Sequence, residues 1–293
     1  MTLGTFDGVH RGHQTLLDTA RRRARLRGGD VVAVAFDRPP RLFFSPLPPP
    51  QLLTTPPEKE ALLRRFGADR VESISFTKNL GNLTEHQFIK NFLQRRWKAA
   101  EIVVGFNFRF GKGRGGDVHS LSAWGKSAGV RVHSVPPVCD RTGVISSGRI
   151  RALVGTGALR EAGNLLGHDY ILDAPVVSGR GVGRRMGFPT ANLDVNVDKI
   201  VPLGVFAVKI VLPTGVDRTG LLNVGVRPTF RDSPSVRSVE VHILDFSGDL
   251  TGRRLRLSFS KKLRDEKKFS TVQALVRQIR LDEIAARHYL RLG

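Results

Sequence analysis

Two patterns of apolar and polar positions alternate in the first half of the chain. Continuous apolar runs at residues 31–36, 102–104 and 130–135 are typical of strands buried in a parallel sheet. Residues 12–27 have apolar positions at helical spacing, and two capping boxes predict further helix starts. These boxes are Thr55-Pro-Pro-Glu58 and Thr84-Glu-His-Gln87, the second opening a helix to about residue 97. Such alternation of strands and helices predicts a parallel α/β sheet.

After about residue 168 the pattern changes to short β-branched segments separated by Gly, Pro and Asp turns. The predicted strands cover residues 170–177, 205–212, 220–224, 236–245 and 255–259. Segments of this kind favour a small antiparallel barrel. A helical period over residues 271–290 closes the chain, and a helix over residues 150–166 is expected to join the halves. We therefore expect two domains, 1–168 and 169–293.

The composition is that of a folded chain and excludes several classes of protein. The 293 residues are 40% hydrophobic and 25% charged, which argues against a disordered chain. No apolar run approaches the ~20 residues of a membrane span, and the first residues lack the layout of a signal peptide. The single cysteine, Cys139, excludes an internal disulfide framework and a Cys-rich zinc site. These features predict a cytoplasmic protein that does not act at a membrane.

The charge is strongly positive, because 47 Lys and Arg against 26 Asp and Glu give +21. One explanation is a polyanionic partner, either nucleic acid or a phosphate-rich small molecule. The other is a basic composition spread over solvated faces, and the positive residues are indeed dispersed along the whole chain. We expect dispersed charge or a small polyanionic ligand and no specific nucleic acid, since the sequence has neither an RNP nor a helix-turn-helix motif.

The segment GTFDGVHRGH (residues 4–13) is the most informative motif. It connects a predicted strand to a predicted helix, whose N-terminus offers free N–H groups to a phosphate. Gly8 and Gly12 let the backbone approach a ligand closely, and His10 and His13 are spaced to face one anion. The H-x-G-H spacing resembles the nucleotidyltransferase motif, in which both histidines stabilise charge on ATP phosphates. Two surface histidines near a turn are the alternative.

Two other segments of the first half suit a nucleotide or a flat ligand. In ISSGRIR (residues 145–151), the hydroxyls of Ser146 and Ser147 precede Arg151 at a helix start. This suits a triphosphate but is also common in capped basic helices. In GFNFRFG (residues 105–111), Asn107 stands between aromatic residues, which suits either a heteroaromatic ligand or core packing.

The second half carries a glycine loop and a lone acid. The loop SGRGVGRRMGFPTAN (residues 178–192) has neither P-loop nor dinucleotide spacing, but Gly181, Gly183 and its arginines suit phosphates. Thr190 and Asn192 share one face of an extended chain, so their oxygens could hold Mg²⁺ and a phosphate. Glu240, in SVEVHILDF (residues 238–246), is either a solvent-facing residue or a general base.

In their order along the chain, these motifs resemble the prokaryotic bifunctional riboflavin kinase/FMN adenylyltransferase (FAD synthetase) family. The resemblance covers nearly the whole chain. It implies an N-terminal Rossmann-like nucleotidyltransferase domain and a C-terminal riboflavin kinase domain, a six-stranded antiparallel β-barrel followed by a helix. It also implies ATP, Mg²⁺ and the flavins riboflavin, FMN and FAD as substrates, cofactors or products.

The resemblance assigns roles to residues in the N-terminal half. His10 and His13 would bind the ATP phosphates during adenylyl transfer, beside the glycines at positions 8 and 12. Asn107 would lie at the flavin and ATP site. The second phosphate motif would be formed by Ser146, Ser147 and Arg151.

It also assigns roles in the C-terminal half. Thr190 and Asn192 match the pair that binds Mg-ATP in the kinase. Glu240 matches the base that takes the proton from the riboflavin 5′-hydroxyl before γ-phosphoryl transfer. Arg264, Glu266 and Phe269, within LRDEKKF (residues 263–269), match the segment near the kinase flavin site.

Departures from the family pattern concentrate in the first half. Thr5 and Gly148 replace an Asn and a Thr of the family motifs, and Arg38-Pro39-Pro40 replaces its Pro-His-Pro. The chain also begins almost at its first motif, which leaves a start further upstream open. Two alternatives therefore stand beside the bifunctional enzyme: a riboflavin kinase whose N-terminal domain only binds nucleotide or flavin, and a basic nucleic-acid binder. Assembly into a homo-oligomer is left open.

Overall fold

A computed structural model describes residues 1–37, 51–179, 181–227 and 236–291. The chain divides into two compact units, Met1–Arg149 and Ile150–Gly293. The boundary expected after residue 168 stays a prediction. Residues 38–40, where the family's Pro-His-Pro is replaced, lie outside the described residues.

Within its described residues, the first unit contains a five-stranded sheet. Its strands are β1 (Thr2–Gly4), β2 (Val32–Phe36), β3 (Arg70–Ile74), β4 (Glu101–Gly105) and β5 (Arg131–Val135). They are hydrogen-bonded in the order β3-β2-β1-β4-β5, and every pair is parallel. The α/β prediction is therefore confirmed. The strand order reverses between β1 and β4, and such a reversal opens a crevice at the carboxyl ends of the strands.

Helices connect these strands. They are α1 (Arg11–Arg25), α2 (Pro56–Arg65), α3 (Lys78–Gly81), α4 (Glu85–Phe88), a π-helix (Ile89–Trp97), a 3₁₀ turn (Lys112–Arg114) and α5 (Val118–Ala128). Both predicted capping boxes form, at Thr55 and at Thr84. The helix expected to run from residue 84 changes to π geometry after Phe88. A short hairpin, β6 (Cys139–Asp140) and β7 (Gly143–Val144), precedes α6 (Ser147–Thr156).

The described residues of the second unit form a closed barrel in the order β10-β11-β12-β9-β8-β13. The strands are β8 (Ile171–Val177), β9 (Ala191–Leu193), β10 (Gly204–Val211), β11 (Asp217–Arg227), β12 (Val236–Ile243) and β13 (Arg254–Arg264). All pairs are antiparallel, so the barrel prediction is confirmed. Alternate residues such as Leu172 and Ala174 are fully buried inside it.

The helical segment before the barrel differs from the prediction. The single helix expected over residues 150–166 is instead two helices, α6 and α7 (Leu159–Leu166). Gly157 lies between them at φ +80°, a left-handed conformation that ends α6. A one-turn helix, α8 (Val182–Arg185), lies in the glycine loop.

The final helix, α9 (Val272–Arg291), confirms the helix predicted over residues 271–290. Its Ala286 is fully buried against Ala207 and Leu221 of the barrel, with Ile279 and Leu290 beside them. None of the helices in the described ranges has the length and apolarity needed to cross a membrane.

Candidate active sites

The loop between β1 and α1 is fixed from inside the first unit. Asp7 is buried, and its Oδ1 accepts hydrogen bonds from the backbone N–H groups of Leu53 and Thr54, at 2.9 and 3.1 Å. The Gly8 N–H donates to Thr54 Oγ1 at 3.0 Å. Gly8 has φ +82°, which a residue with a side chain rarely adopts. The segment before α2 thus holds this loop in a single conformation.

The two histidines of the loop lie face to face. Their ring centroids are 3.7 Å apart and the rings are nearly parallel, at 21°. His10 is the N-cap of α1 and is buried, whereas His13 lies in the first turn. A Cβ at Gly12 would come within 3.2 Å of the His10 ring, so any side chain there would require the ring to shift by a few tenths of an ångström. The structure therefore brings together both histidines at a helix N-terminus, where an anion is favoured.

His13 is in its neutral form at neutral pH. Burial, and after it the neighbouring charges of His10 and Lys59, lowers the pKa of His13 well below its ordinary value. Its Nδ1 is buried and has no hydrogen-bond partner among the described residues. A bound polyphosphate would supply the missing negative charge and raise this pKa.

The serines of residues 145–151 reach the same loop. Ser147 Oγ donates to the backbone carbonyl of Asp7 at 2.8 Å, across 140 positions of the sequence. Ser146 Oγ accepts from the Arg149 N–H at 3.4 Å, at the beginning of α6. Arg151 follows one turn along this helix from Ser147. The sequence-predicted phosphate motif is thus tied directly to the histidine loop.

Asn107 follows β4, the neighbour of β1 across the strand reversal. Its side chain is exposed, and its Oδ1 would lie 3.5 Å from a Cβ at Gly105. Phe106 beside it is also 48% exposed, which leaves an aromatic ring available for stacking. Phe110 is instead buried in the core, so only part of the aromatic segment faces outward.

In the barrel, the predicted kinase residues meet on two paired strands. Asn192 on β9 lies opposite Glu240 on β12 in the antiparallel register. Thr190 Oγ1 donates to Glu240 Oε2 at 3.3 Å, and Ser238 Oγ donates to Glu240 Oε1 at 3.0 Å. Glu240 alternates with the buried residues Val239 and Val241, so its carboxylate points away from the barrel core. The Glu240 carboxylate and the hydroxyls of Thr190 and Ser238 therefore form one polar cluster on the surface of the barrel.

The glycine loop packs closely on this cluster. A Cβ at Gly179 would lie 2.0 Å from Asn192 Nδ2, and one at Gly183 would lie 2.4 Å from the Phe188 carbonyl. Gly181 has φ +65° and is the N-cap of α8. The loop lines a cavity of about 690 Å³ together with Thr190 and Asn192. Glycines are thus required where the backbone approaches the polar residues and the cavity.

The three residues of the 263–269 segment have different surroundings. The Arg264 guanidinium makes a paired contact with the buried Asp282 on α9, with nitrogen–oxygen distances of 2.8–3.1 Å. The Phe269 ring lies 5.7 Å from that guanidinium carbon. Glu266 is exposed, and its Oε1 would be 2.1 Å from a Cβ at Gly225, which pairs with Ser238. Glu266 therefore lies against β11, the strand that pairs with the Glu240 strand β12, whereas Arg264 anchors α9.

Comparisons with known proteins agree with this geometry. The family model for FAD synthetase matches residues 1–149, and the model for riboflavin kinase matches residues 166–290. The protein named bifunctional riboflavin kinase/FMN adenylyltransferase from Escherichia coli (strain K12) is 35% identical over 292 residues. The match covers all of this chain and 93% of that relative.

The chain belongs to the bifunctional riboflavin kinase/FMN adenylyltransferase family. A family member of the same name from Pseudomonas fluorescens is 35% identical, covering 98% of this chain and 91% of its own. Among solved structures, a macrolide-efflux protein from Streptococcus pneumoniae is similar with a TM-score of 0.87 and 31% identity. That likeness covers 98% of this chain and 93% of the pneumococcal chain.

Sequence reasoning missed one buried charge in this riboflavin kinase/FMN adenylyltransferase family member. Lys59 on α2 is 3% exposed, and its Nζ donates to the carbonyls of Phe36 and Asp37 at 2.5 and 3.3 Å. Burial lowers the pKa of Lys59. Lysines are rarely buried, so a lysine in a predicted helix is expected to be exposed. The one signal in the sequence is its position directly after Glu58 of the Thr55 capping box.

Proposed function

We propose that the barrel phosphorylates riboflavin to FMN with Mg-ATP and that the N-terminal domain adenylylates FMN to FAD. Both family models and the enzymes named above match across both domains, which favours these transfers over efflux, the function in the pneumococcal protein's name. The same matches favour the bifunctional enzyme over a kinase with a binding scaffold. The observation that carries the kinase assignment is the Glu240 carboxylate held against Thr190 and opposite Asn192.

The phosphoryl transfer follows from this cluster. Glu240 would accept the proton of the riboflavin 5′-hydroxyl, and the oxygen would form a bond to the γ-phosphorus. The bond between that phosphorus and the β–γ bridging oxygen would break, and ADP would leave. Thr190 and Asn192 would position the γ-phosphate and its Mg²⁺, while the backbone at Gly181 and Gly183 would contact the other phosphates.

Magnesium enters this reaction as part of the Mg-ATP substrate. The hydroxyl of Thr190 and the amide oxygen of Asn192 are hard, neutral donors, which suit an ion that takes most of its ligands from phosphates and water. The ion neutralises charge on the transferred group. The pairing of Asn192 with Glu240 in the β9–β12 register supports this role, because it fixes the backbone position of Asn192.

For adenylyl transfer, the first unit needs no protein nucleophile. A phosphate oxygen of FMN would attack the α-phosphorus of ATP, and pyrophosphate would leave. His10, His13 and the N–H groups of α1 would stabilise the negative charge, and Ser146, Ser147 and Arg151 would hold the remaining phosphates. Gly8 and Gly12 would keep the backbone close to them, and Asn107 would hydrogen-bond the flavin or adenine ring.

The kinase assignment is tested by Glu240→Gln. The amide keeps the shape, and its oxygen can still accept a hydrogen bond from one of the two hydroxyls, Thr190 or Ser238, but it cannot act as a general base. We expect turnover of riboflavin to fall about 10²–10⁴-fold, the usual contribution of a general base, with an unchanged thermal midpoint.

FMN adenylylation by the same variant is the internal control, because His10 and His13 belong to the other unit. It should stay at the wild-type rate. Riboflavin turnover at the wild-type rate in Glu240→Gln would refute the role of this carboxylate.

A cytoplasmic location fits a chain with one exposed cysteine and the substrates proposed here. It stays a prediction, as do the oligomeric state and the expectation that no specific nucleic acid binds.

A further inference from the structure

His242 connects three parts of the barrel unit beside the kinase cluster. It lies on β12, two residues after Glu240, and its side chain is 13% exposed. Its Nδ1 is 2.7 Å from the backbone carbonyl oxygen of Pro189, and its Nε2 is 3.0 Å from Oε1 of Glu283 on α9. The Phe188 ring meets it edge-on at a centroid distance of 5.7 Å. The imidazole is therefore held on both nitrogens and on one edge.

Both contacts of the ring are with hydrogen-bond acceptors. A backbone carbonyl oxygen and an ionised carboxylate both accept hydrogen bonds and have no hydrogen to donate. The ring of His242 therefore lies between two hydrogen-bond acceptors, one at each of its nitrogens. A hydrogen bond to an ionised group is shorter and stronger than a neutral one, so the contact with the Glu283 carboxylate ties β12 to α9.

The carbonyl of Pro189 determines where Thr190 points. It belongs to the peptide group that joins Pro189 to Thr190, so a bond to this oxygen fixes the plane from which the Thr190 side chain starts. Thr190 itself lies just before β9, which begins at Ala191. The β9–β12 register places Asn192 opposite Glu240 and Ala191 opposite Val241. No pairing in that register restrains Thr190, whose backbone is instead restrained by the His242 contact with the preceding carbonyl and whose side chain donates to Glu240.

We propose that His242 and Glu283 are positioning residues of the kinase reaction, which hold Thr190 and Asn192 in the geometry that receives Mg-ATP. This inference rests on the proposed kinase function. Neither side chain needs to touch a substrate, because they act through the Pro189 carbonyl. Their loss is therefore expected to weaken the use of Mg-ATP and to leave the use of riboflavin nearly unchanged.

Two substitutions separate the two bonds of the ring. His242→Asn places an amide nitrogen near the position of Nδ1 and can still donate to Pro189. His242→Gln places its amide near Nε2 and can reach Glu283 but not Pro189. We expect His242→Asn to keep kcat/KM for Mg-ATP within a few-fold of wild type. His242→Gln should lose about 10-fold, the upper value for one hydrogen bond to a neutral carbonyl, mainly through KM for Mg-ATP.

Variants of Glu283 test the positioning role independently, in case His242→Gln does not fold. Glu283→Gln keeps an acceptor and a donor for the ring and should stay close to wild type. Glu283→Ala removes the partner and should raise KM for Mg-ATP. Circular dichroism of each variant, compared with wild type, reports whether the barrel is folded, and FMN adenylylation, which depends on the other unit, normalises the amount of active protein.

The outcomes distinguish this inference from the kinase assignment. Wild-type KM for Mg-ATP in both His242→Gln and Glu283→Ala, or an equal rise in KM for riboflavin, would overturn the positioning role. If the wild-type protein does not phosphorylate riboflavin, the kinase assignment fails. Calorimetric binding of a non-hydrolysable Mg-ATP analogue then decides the positioning role: weaker binding to His242→Gln than to His242→Asn supports it, and equal binding contradicts it.

Discussion

At the scale of single residues, the nucleotide site proposed for the first unit holds a histidine whose pKa is lowered, so that its ring is neutral at neutral pH. The pKa of His13 is lowered by burial and then by the charges of His10 and Lys59. Burial favours the neutral form of the ring while no anion is present, whereas the negative charge of a bound polyphosphate would favour the protonated form. The ring of His10 stacks on that of His13 at a centroid distance of 3.7 Å.

This lowered pKa predicts a dependence of stability on pH. The unfolded chain binds a proton at His13 near pH 6.5, whereas the folded chain binds it only at lower pH. Stability therefore falls as the pH decreases from about 6.5 toward the folded value. Urea unfolding between pH 7 and 5 should show a shallower fall for His13→Gln than for wild type. Parallel curves for the two proteins would contradict the shifted pKa.

Gly148 is the second residue with a direct prediction. It stands where the family has a threonine, and a Cβ there would meet Ser146 Oγ at an ordinary 3.9 Å. Gly148→Thr should therefore fold normally and add a hydroxyl to the phosphate motif. We expect FAD formation to rise about 10-fold or more, because one hydrogen bond to a charged group contributes about 1.5–3 kcal/mol. The prediction is contradicted if Gly148→Thr forms FAD no faster than wild type and the wild-type protein already adenylylates FMN as fast as it phosphorylates riboflavin. Gly148 would then not slow FAD formation.

At the scale of elements, α9 is fastened to the barrel by a buried ion pair. Arg264 on β13 and Asp282 on α9 have side chains 14% and 6% exposed, and Gln278 donates to the same carboxylate at 2.9 Å. Asp282→Ala leaves the arginine without its partner carboxylate. We expect a loss of about 3–5 kcal/mol in the free energy of unfolding of the barrel unit.

An exposed pair gives the matched control for this prediction. Arg287 on α9 pairs with Asp245, whose side chain is 71% exposed. Asp245→Ala should cost only about 0.2–1 kcal/mol. Denaturant unfolding followed by circular dichroism measures both variants. Similar losses in the two would show that burial does not set the strength of the Arg264–Asp282 pair.

The elements also show what sequence could and could not predict. The capping boxes at Thr55 and Thr84 were visible because a cap is a local interaction of four residues. The break of the joining helix was missed because Gly157 is a single residue within an otherwise helical pattern. Strand β9 was missed because its three residues have no alternation of their own and are fixed by pairing with β8 and β12.

The same distinction holds for the sites. The motifs around His10, Ser147, Thr190 and Glu240 were found in the sequence because each has a recognisable spacing. The bond from Ser147 to Asp7 spans 140 positions, and the contact of His242 with Glu283 spans 41. Such contacts depend on tertiary packing, which no local pattern encodes.

At the scale of the whole molecule, the net charge is +21, and arginines of both units pair with carboxylates. Single carboxylates serve several of them: Glu101 contacts Arg23 and Arg27 at 2.8 and 2.6 Å, and Asp173 contacts Arg254 and Arg256 at 2.8 and 3.2 Å. These two clusters lie in different units. Part of the basic composition is therefore neutralised locally in each unit, and the expectation that no specific nucleic acid binds stays a prediction.

The central claim is that one chain converts riboflavin to FMN and FMN to FAD. The most direct measurement is chromatography of the flavins at successive times after the protein is mixed with riboflavin, ATP and Mg²⁺. We predict that FMN appears first and that FAD follows at its expense. With FMN as the starting flavin, FAD should form without a lag. A folded protein that leaves riboflavin unchanged would contradict the kinase, and one that stops at FMN would contradict the adenylyltransferase.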